Sequence, residues 1–200
     1  MLIHPYSGPS FAHRRIGLLG GSFNPAHAGH LEMSLHALKR LGLDEVWWLV
    51  SPQNPLKPAR GMAALDERLA GARLLARHPK ITVTDIEMRF GTSYTADTLR
   101  TLRQRFPGTK FVWLMGADNL GQILRWRRWA EIFMHMPVAV FRRPGYDTAV
   151  RGKAAIRFAK ARHPASFGKK LAFSRAPAWL VLDNRLNLVS STALRRHAHK

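Results

Sequence analysis

The stretch IGLLGGSFNPAHAGHLEMSLHALKRL (residues 16–41) reads as strand, turn and helix in succession. IGLLG (16–20) is short, apolar and closed by glycine, whereas LEMSLHALKRL (31–41) repeats leucine at Leu31, Leu35, Leu38 and Leu41, the spacing that lines one helix face. Between them lies GGSFNPAHAGH (20–30). Gly20 and Gly21 let the backbone turn tightly and approach an anion with no Cβ in the way. The helix is expected to begin near Gly29–His30, so that its unpaired amides and positive dipole end face the same space. His27 and His30 flank that start and can set their rings side by side over an anion. The plainer alternative is a connection carrying two exposed histidines. A glycine pair, a proline and HxGH together in this context favour the anion site.

Working outward, the same alternation recurs. EVWWLV (45–50) is a strand, DERLAGARLLARH (66–78) a helix with Asp66 as candidate N-cap, and ITVTDIEM (81–88) a strand. YTADTLRTLRQRF (94–106) is a helix that ends before Pro107, and FVWLMG (111–116), PVAVF (137–141) and AWLVLD (178–183) complete the strands. Strand and helix alternating in this way imply an α/β fold, a doubly wound parallel sheet in a single domain with helices on both faces. Such sheets bind ligands at the carboxyl ends of their strands, near the switch point. Residues 1–14 read as a loose leader and 15–200 as the domain, within which 142–170 is a basic, helix-containing insertion.

Composition narrows the function classes. The chain has 200 residues, 46% hydrophobic and 22% charged, enough to bury a sizeable core. No apolar run approaches the roughly 18 residues of a membrane span, and MLIHPYSGPSFAHRR has no secretory pattern, so a cytoplasmic protein with no membrane partner is expected. Cysteine is absent, which excludes disulfides and thiolate chemistry. The histidines show no HExxH or zinc-finger spacing. The net charge of +20 fits nucleic acid, a polyanionic small substrate or a basic proteome. Without an RNP-type or zinc-finger motif, nucleic acid is the disfavoured partner.

VSSTALRR (189–196) follows the last strand. Ser190, Ser191 and Thr192 offer hydroxyls and an N-cap, and Arg195 projects one turn later as a fork of donors suited to phosphate oxygens. Alone, an ordinary capped helix with basic surface residues explains it equally well.

GGSFNPAHAGH together with SSTALR resembles the HxGH/SSTxxR nucleotidylyltransferase superfamily, which adopts a Rossmann-like fold. SYTADTL (93–99), MGADN (115–119) and the WxxW segment at Trp126 make the chain similar, within it, to the bacterial nicotinate-nucleotide adenylyltransferase family, over roughly residues 16–196. The resemblance implies transfer of AMP from ATP to nicotinate mononucleotide, giving deamido-NAD and pyrophosphate in NAD biosynthesis. It implies that His27, His30 and Arg195 are catalytic. ATP would lie along Gly20, Gly21, Ser22 and Phe23, with His27 and His30 on its phosphates. Ser190, Ser191, Thr192 and Arg195 would hold the outer phosphates, and Asp118 the adenosine ribose. The acceptor would meet Lys57, Thr95 and Trp126. Independently, a carboxylate just past a strand end suits Asp118's role, and a flat indole suits a pyridine ring. Their plainer alternatives are a helix N-cap and an ordinary core tryptophan.

Mg²⁺ is expected to arrive with ATP, keeping water and phosphate ligands rather than dedicated protein ones. A homo-oligomer is left open. The chain departs from the family pattern at Leu56, where a histidine commonly precedes the lysine, at Asn24, where many members carry aspartate, and in lacking a closing helix after SSTALR. Rival readings are another adenylyltransferase, with nicotinamide mononucleotide or phosphopantetheine as acceptor, or a basic nucleic-acid-binding module. His27 argues against the phosphopantetheine enzymes, which usually carry threonine there.

Overall fold

The computed structural model describes residues 11–52 and 61–183. Seven parallel strands form one sheet in the order β3-β2-β1-β4-β5-β7-β6. They are β1 (Arg15–Gly21), β2 (Glu45–Val50), β3 (Ile81–Thr84), β4 (Lys110–Gly116), β5 (Val138–Phe141), β6 (Arg162–His163) and β7 (Trp179–Leu182). The order reverses between β1 and β4, so the switch-point crevice opens where GGSFNPAHAGH leaves the sheet.

Period-two alternation sorts each strand's side chains between two cores. Ile16, Leu18, Trp47, Leu49, Trp113, Met115, Val138, Val140, Trp179 and Val181 face one. Leu19, Val46, Trp48, Val50, Val112, Leu114, Ala139, Phe141, Leu180 and Leu182 face the other. Both faces are dry, which explains why β2 reads as an unbroken apolar run. Helices α1 (Ala28–Leu41), α2 (Leu65–Leu75) and α8 (Gly168–Leu171) cover the second core. Helices α4 (Thr95–Arg105), α5 (Ala117–Gln122), α6 (Trp129–His135) and α7 (Lys153–Arg157) cover the first. Gly42 closes α1 in the left-handed conformation, at φ 62°, that a side chain would resist.

Several local expectations change in the fold. Asp66 lies inside the first turn of α2, and the N-cap is Ala64. Asp66 and Glu67 instead place negative charge within the first turn, at the positive end of the helix. The third strand stops at Thr84, whose hydroxyl accepts the Ile86 N–H at 3.1 Å and turns the chain into the short helix α3 (Ile86–Arg89). Phe11 packs edge-on against Trp47 and Phe106, so residues 11–14 are docked onto the domain, while 1–10 lie outside the described residues. Segment 142–170 supplies the edge strand β6 and most of α8, and is thus part of the sheet and its covering layer. Gly168 packs on the Arg40 carbonyl so closely that a Cβ there would overlap it. Among the described residues no helix is long and apolar enough to cross a membrane.

Candidate active site

The carboxyl ends of β1, β4 and β5 bring together groups that are far apart in the chain. His27 is the N-cap of α1, held extended, and His30 stands one turn into the helix. Their ring centroids are 3.8 Å apart. The His27 backbone N–H donates to His30 Nδ1 at 3.2 Å. That bond makes Nδ1 an acceptor, so the neutral His30 ring carries its proton on Nε2 and remains a donor. Beneath it, Phe23 stacks 5.1 Å from Trp48 and 4.6 Å from His30. Trp48 Nε1 donates to Ser34 Oγ, which donates to the His30 carbonyl. The imidazole pair therefore sits on a rigid, buried aromatic base.

Expected site residues fall into place unevenly. Ser22 is buried. The Phe23 ring is also buried, stacked on Trp48. Gly20 answers first to packing, since a Cβ there would overlap the Trp113 ring beneath the strand. Neither Gly20 nor Gly21 adopts positive φ; the left-handed residue in this turn is Phe23, at φ 46°. Asn24 donates to the Gly61 carbonyl at 3.1 Å and accepts the Ala63 N–H at 3.3 Å. An ionised aspartate could not make the first of these bonds. Lys57, Ser190, Ser191, Thr192 and Arg195 lie outside the described residues. The last described strand, β7, runs parallel to β5 and delivers the chain to this same edge at Asp183.

Asp118 is half-buried just past β4. It is not a helix N-cap; Gly116 holds that position of α5. Instead the carboxylate accepts a bond from Arg143 Nη1 at 3.0 Å. A Cβ at Gly116 would overlap Asp118 Oδ1, so the glycine makes room for the carboxylate to fold back over the strand end. The His27 imidazole feels both groups. Burial pushes its pKa below the usual histidine range, the Arg143 cation pushes it further, and Asp118 opposes them. Among the described residues no group of three or more His, Asp or Glu side chains could hold a metal ion.

Two arginines of the site were not expected from sequence. Arg143 follows β5 within the segment read as a basic, helix-containing insertion, where no single arginine was marked out. Arg68, in α2, is 4% exposed and donates to four carbonyls: Ala63, Ser22, Ser51 and Pro52, at 2.7–3.0 Å. It ties the turn after β1 to the end of β2. An arginine on the helix face that carries Leu65, Leu69 and Ala72 was the available signal, because an arginine is seldom buried without work to do.

Thr95 and Trp126 form a second group. Thr95 opens α4 after the N-cap Tyr94. Trp126 is half-buried against the first core and follows a single 3-10 turn, Ile123–Arg125. It is thus in part a core residue, with the rest of its surface open to solvent. Asp97, one turn into α4, pairs with Arg128 and with Arg100.

Comparison with known proteins now adds to the geometry. The profile of the cytidylyltransferase-like family matches residues 18–197. A protein of Cereibacter sphaeroides named probable nicotinate-nucleotide adenylyltransferase is 56% identical over 181 residues, 90% of this chain and 96% of that one. A Methylorubrum extorquens protein of the same name is 57% identical over 182 residues, 90% and 98% of the two chains. The chain belongs to the nicotinate-nucleotide adenylyltransferase family. Among solved structures, the Plasmodium falciparum nicotinic acid mononucleotide adenylyltransferase complexed with APC shares the fold, with a TM-score of 0.68 at 16% identity over 92% of this chain and 83% of that one. The NaAD complex of the same protein superposes equally well. In this family setting, the imidazole pair, Asp118 and Arg143 stand at the switch point, Thr95 opens the helix leading to β4, and Trp126 closes the 3-10 turn that precedes the helix leading to β5.

Proposed function

We propose that this chain transfers AMP from ATP to nicotinate mononucleotide, forming nicotinate adenine dinucleotide and releasing pyrophosphate. The observation that carries the reading is the imidazole pair at the N-terminus of α1, at the switch point, in a chain more than half identical to relatives named for this activity.

The reaction needs no enzyme nucleophile. A phosphate oxygen of the mononucleotide attacks the α-phosphorus of ATP in line, and the bond to the bridging oxygen of pyrophosphate breaks on the opposite side. Charge builds on the non-bridging and bridging oxygens, so catalysis lies in positioned donors and cations. His30 presents Nε2–H whatever its charge, by virtue of the bond to Nδ1. His27, held toward the neutral form in the free protein, gains proton affinity when a triphosphate replaces solvent beside it. The amides at the start of α1 add a fixed positive end. Asp118 takes the ribose hydroxyls. Mg²⁺ enters bound to ATP as part of the substrate and neutralises phosphate charge. Ser190, Ser191, Thr192 and Arg195 act on the outer phosphates, and Lys57 approaches the acceptor phosphate. Thr95, Trp126 and the amides at the start of α4 receive the pyridine carboxylate.

The test is pyrophosphate release from Mg–ATP with nicotinate mononucleotide, nicotinamide mononucleotide and phosphopantetheine in turn. The reading requires the highest kcat/KM with the nicotinate compound. A preference for the amide overturns the acceptor, and release with none of the three overturns the activity.

A further inference from the structure

Trp126 is followed at once by two arginines, and each grips a residue beside Thr95. The Arg127 guanidinium lies over the Tyr94 ring, 4.8 Å from its centroid, and Tyr94 immediately precedes Thr95. Arg128 pairs with Asp97, two residues beyond Thr95. Both sides of Thr95 are thereby bound to the segment that carries Trp126. The contact is one between elements 31 residues apart in sequence, across the packed pair α4 and α6.

Arg128 occupies the left-handed region, at φ 52°. A residue with a Cβ resists that conformation, so surrounding contacts must hold it. They are at hand. Arg128 meets Asp97 and, at 3.9 Å, Glu131, while the Trp129 N–H donates to the Trp126 carbonyl and the Glu131 N–H to the Arg128 carbonyl. The turn leads from Trp126 into α6, where the Trp129 ring meets Phe133 and Phe158 edge-on, and both tryptophans are half-buried against the first core. A cleft of about 440 Å³ opens beside it, lined by Ser93, Tyr94, Asp97, Arg100, Arg127 and Arg128. Asp97 is shared by Arg128 and Arg100, and Arg128 also meets Glu131, so the arginine's charge is engaged within the tie.

We infer that Asp97 and Arg128 are a positioning pair, which sets Trp126 against Thr95 and so governs affinity for the acceptor mononucleotide while leaving ATP affinity alone. The inference rests on the functional reading above, in which Thr95 and Trp126 receive the pyridine ring. It deepens that reading, since the pair touches no substrate and acts through the residues it holds.

The experiment compares Asp97→Asn, Arg128→Met, the double variant, Arg128→Lys and Arg103→Met in the full chain, with nicotinate mononucleotide and Mg–ATP varied separately. Loosening the tie should raise KM for the mononucleotide about tenfold in either single variant, with KM for ATP within about twofold, since small misplacements of a binding group are costly. The double variant should be no worse than the worse single one, because both remove the same contact. Arg128→Lys keeps the charge and should recover part of the loss, and Arg103→Met, at an exposed arginine of α4 outside the tie and the cleft, should resemble the wild type. A fall in thermal stability with an unmoved mononucleotide KM overturns the proposal, as does an equal rise in both KM values. If Arg128→Met does not fold, Asp97→Asn and Arg128→Lys decide on the same readout. Failure of the wild-type chain to turn over any mononucleotide defeats the functional reading instead, so the two failures are told apart.

Discussion

Arg143, two residues past β5, reaches the carboxylate of Asp118, two residues past β4, with Nη1 3.0 Å from Oδ2, and both groups act on the His27 ring. A cation and an anion placed together against one imidazole set its proton affinity in opposite directions. Removing either tests the arrangement. Arg143→Met should raise the His27 pKa toward the ordinary histidine value, and Asp118→Asn should lower it further. Histidine side-chain titration by NMR reads both, and an unchanged His27 in the two variants would mean that the groups do not share a site.

Binding of Mg–ATP should draw a proton onto the protein. His27 is held toward its neutral form in the free chain, and a polyanion beside it reverses that bias. Calorimetry near neutral pH in two buffers of different ionisation enthalpy measures the uptake. Zero uptake argues that the triphosphate does not approach His27.

His30→Ala should lower kcat by about 100-fold with little change in KM for ATP, the usual consequence of losing one oriented donor to a developing charge. His30→Gln, which keeps an N–H donor, should retain part of the rate. Near-normal turnover in the alanine variant removes His30 from the mechanism.

Arg68→Met should destabilise the chain by about 2–4 kcal/mol and raise KM for ATP, because four buried carbonyls lose a donor at once and the turn after β1 comes adrift. Arg68→Lys should not repair it, since an ammonium cannot span the fork. Denaturant unfolding and steady-state kinetics on the two variants measure this.

Glu87 is buried under the loop before α4, where Thr98 donates to it at 3.4 Å, and burial raises its pKa from 4.5 to about 7 despite that bond. An unfolded chain releases this proton at lower pH than the folded one, so stability falls as pH rises from about 4.5 to about 7. The full loss is roughly 3 kcal/mol. Glu87→Gln should flatten that slope and be the more stable variant at about pH 8 but not at about pH 4. Parallel slopes in urea unfolding for the two proteins would contradict it.

Much of this was open to reading in the linear chain. IGLLG, EVWWLV and FVWLMG could be assigned because a strand buried on both faces must be apolar throughout, and α1 could be assigned as a helix from its leucine spacing, although Leu35 of that stripe is exposed and Ser34, Ala37 and Leu41 form the buried face. β6 escaped notice, since two residues paired at an edge, Arg162 and His163, leave no pattern. Thr84 ended its strand by a side-chain bond that periodicity does not register.

Sequence alone determined that a histidine pair would stand at a strand-to-helix turn, because a strand, a turn and a helix start are local and their residues are neighbours in the chain. Tertiary structure alone decided which charges meet there. Arg143 and Asp118 are 25 residues apart, Arg68 and the Ser22 carbonyl 46, and Arg128 and Asp97 31. A guanidinium has the same chemistry on a solvated face as in a crevice; only the order in which the strands pair, with β1 beside β4 and β4 beside β5, brings a given arginine within reach of its acceptor.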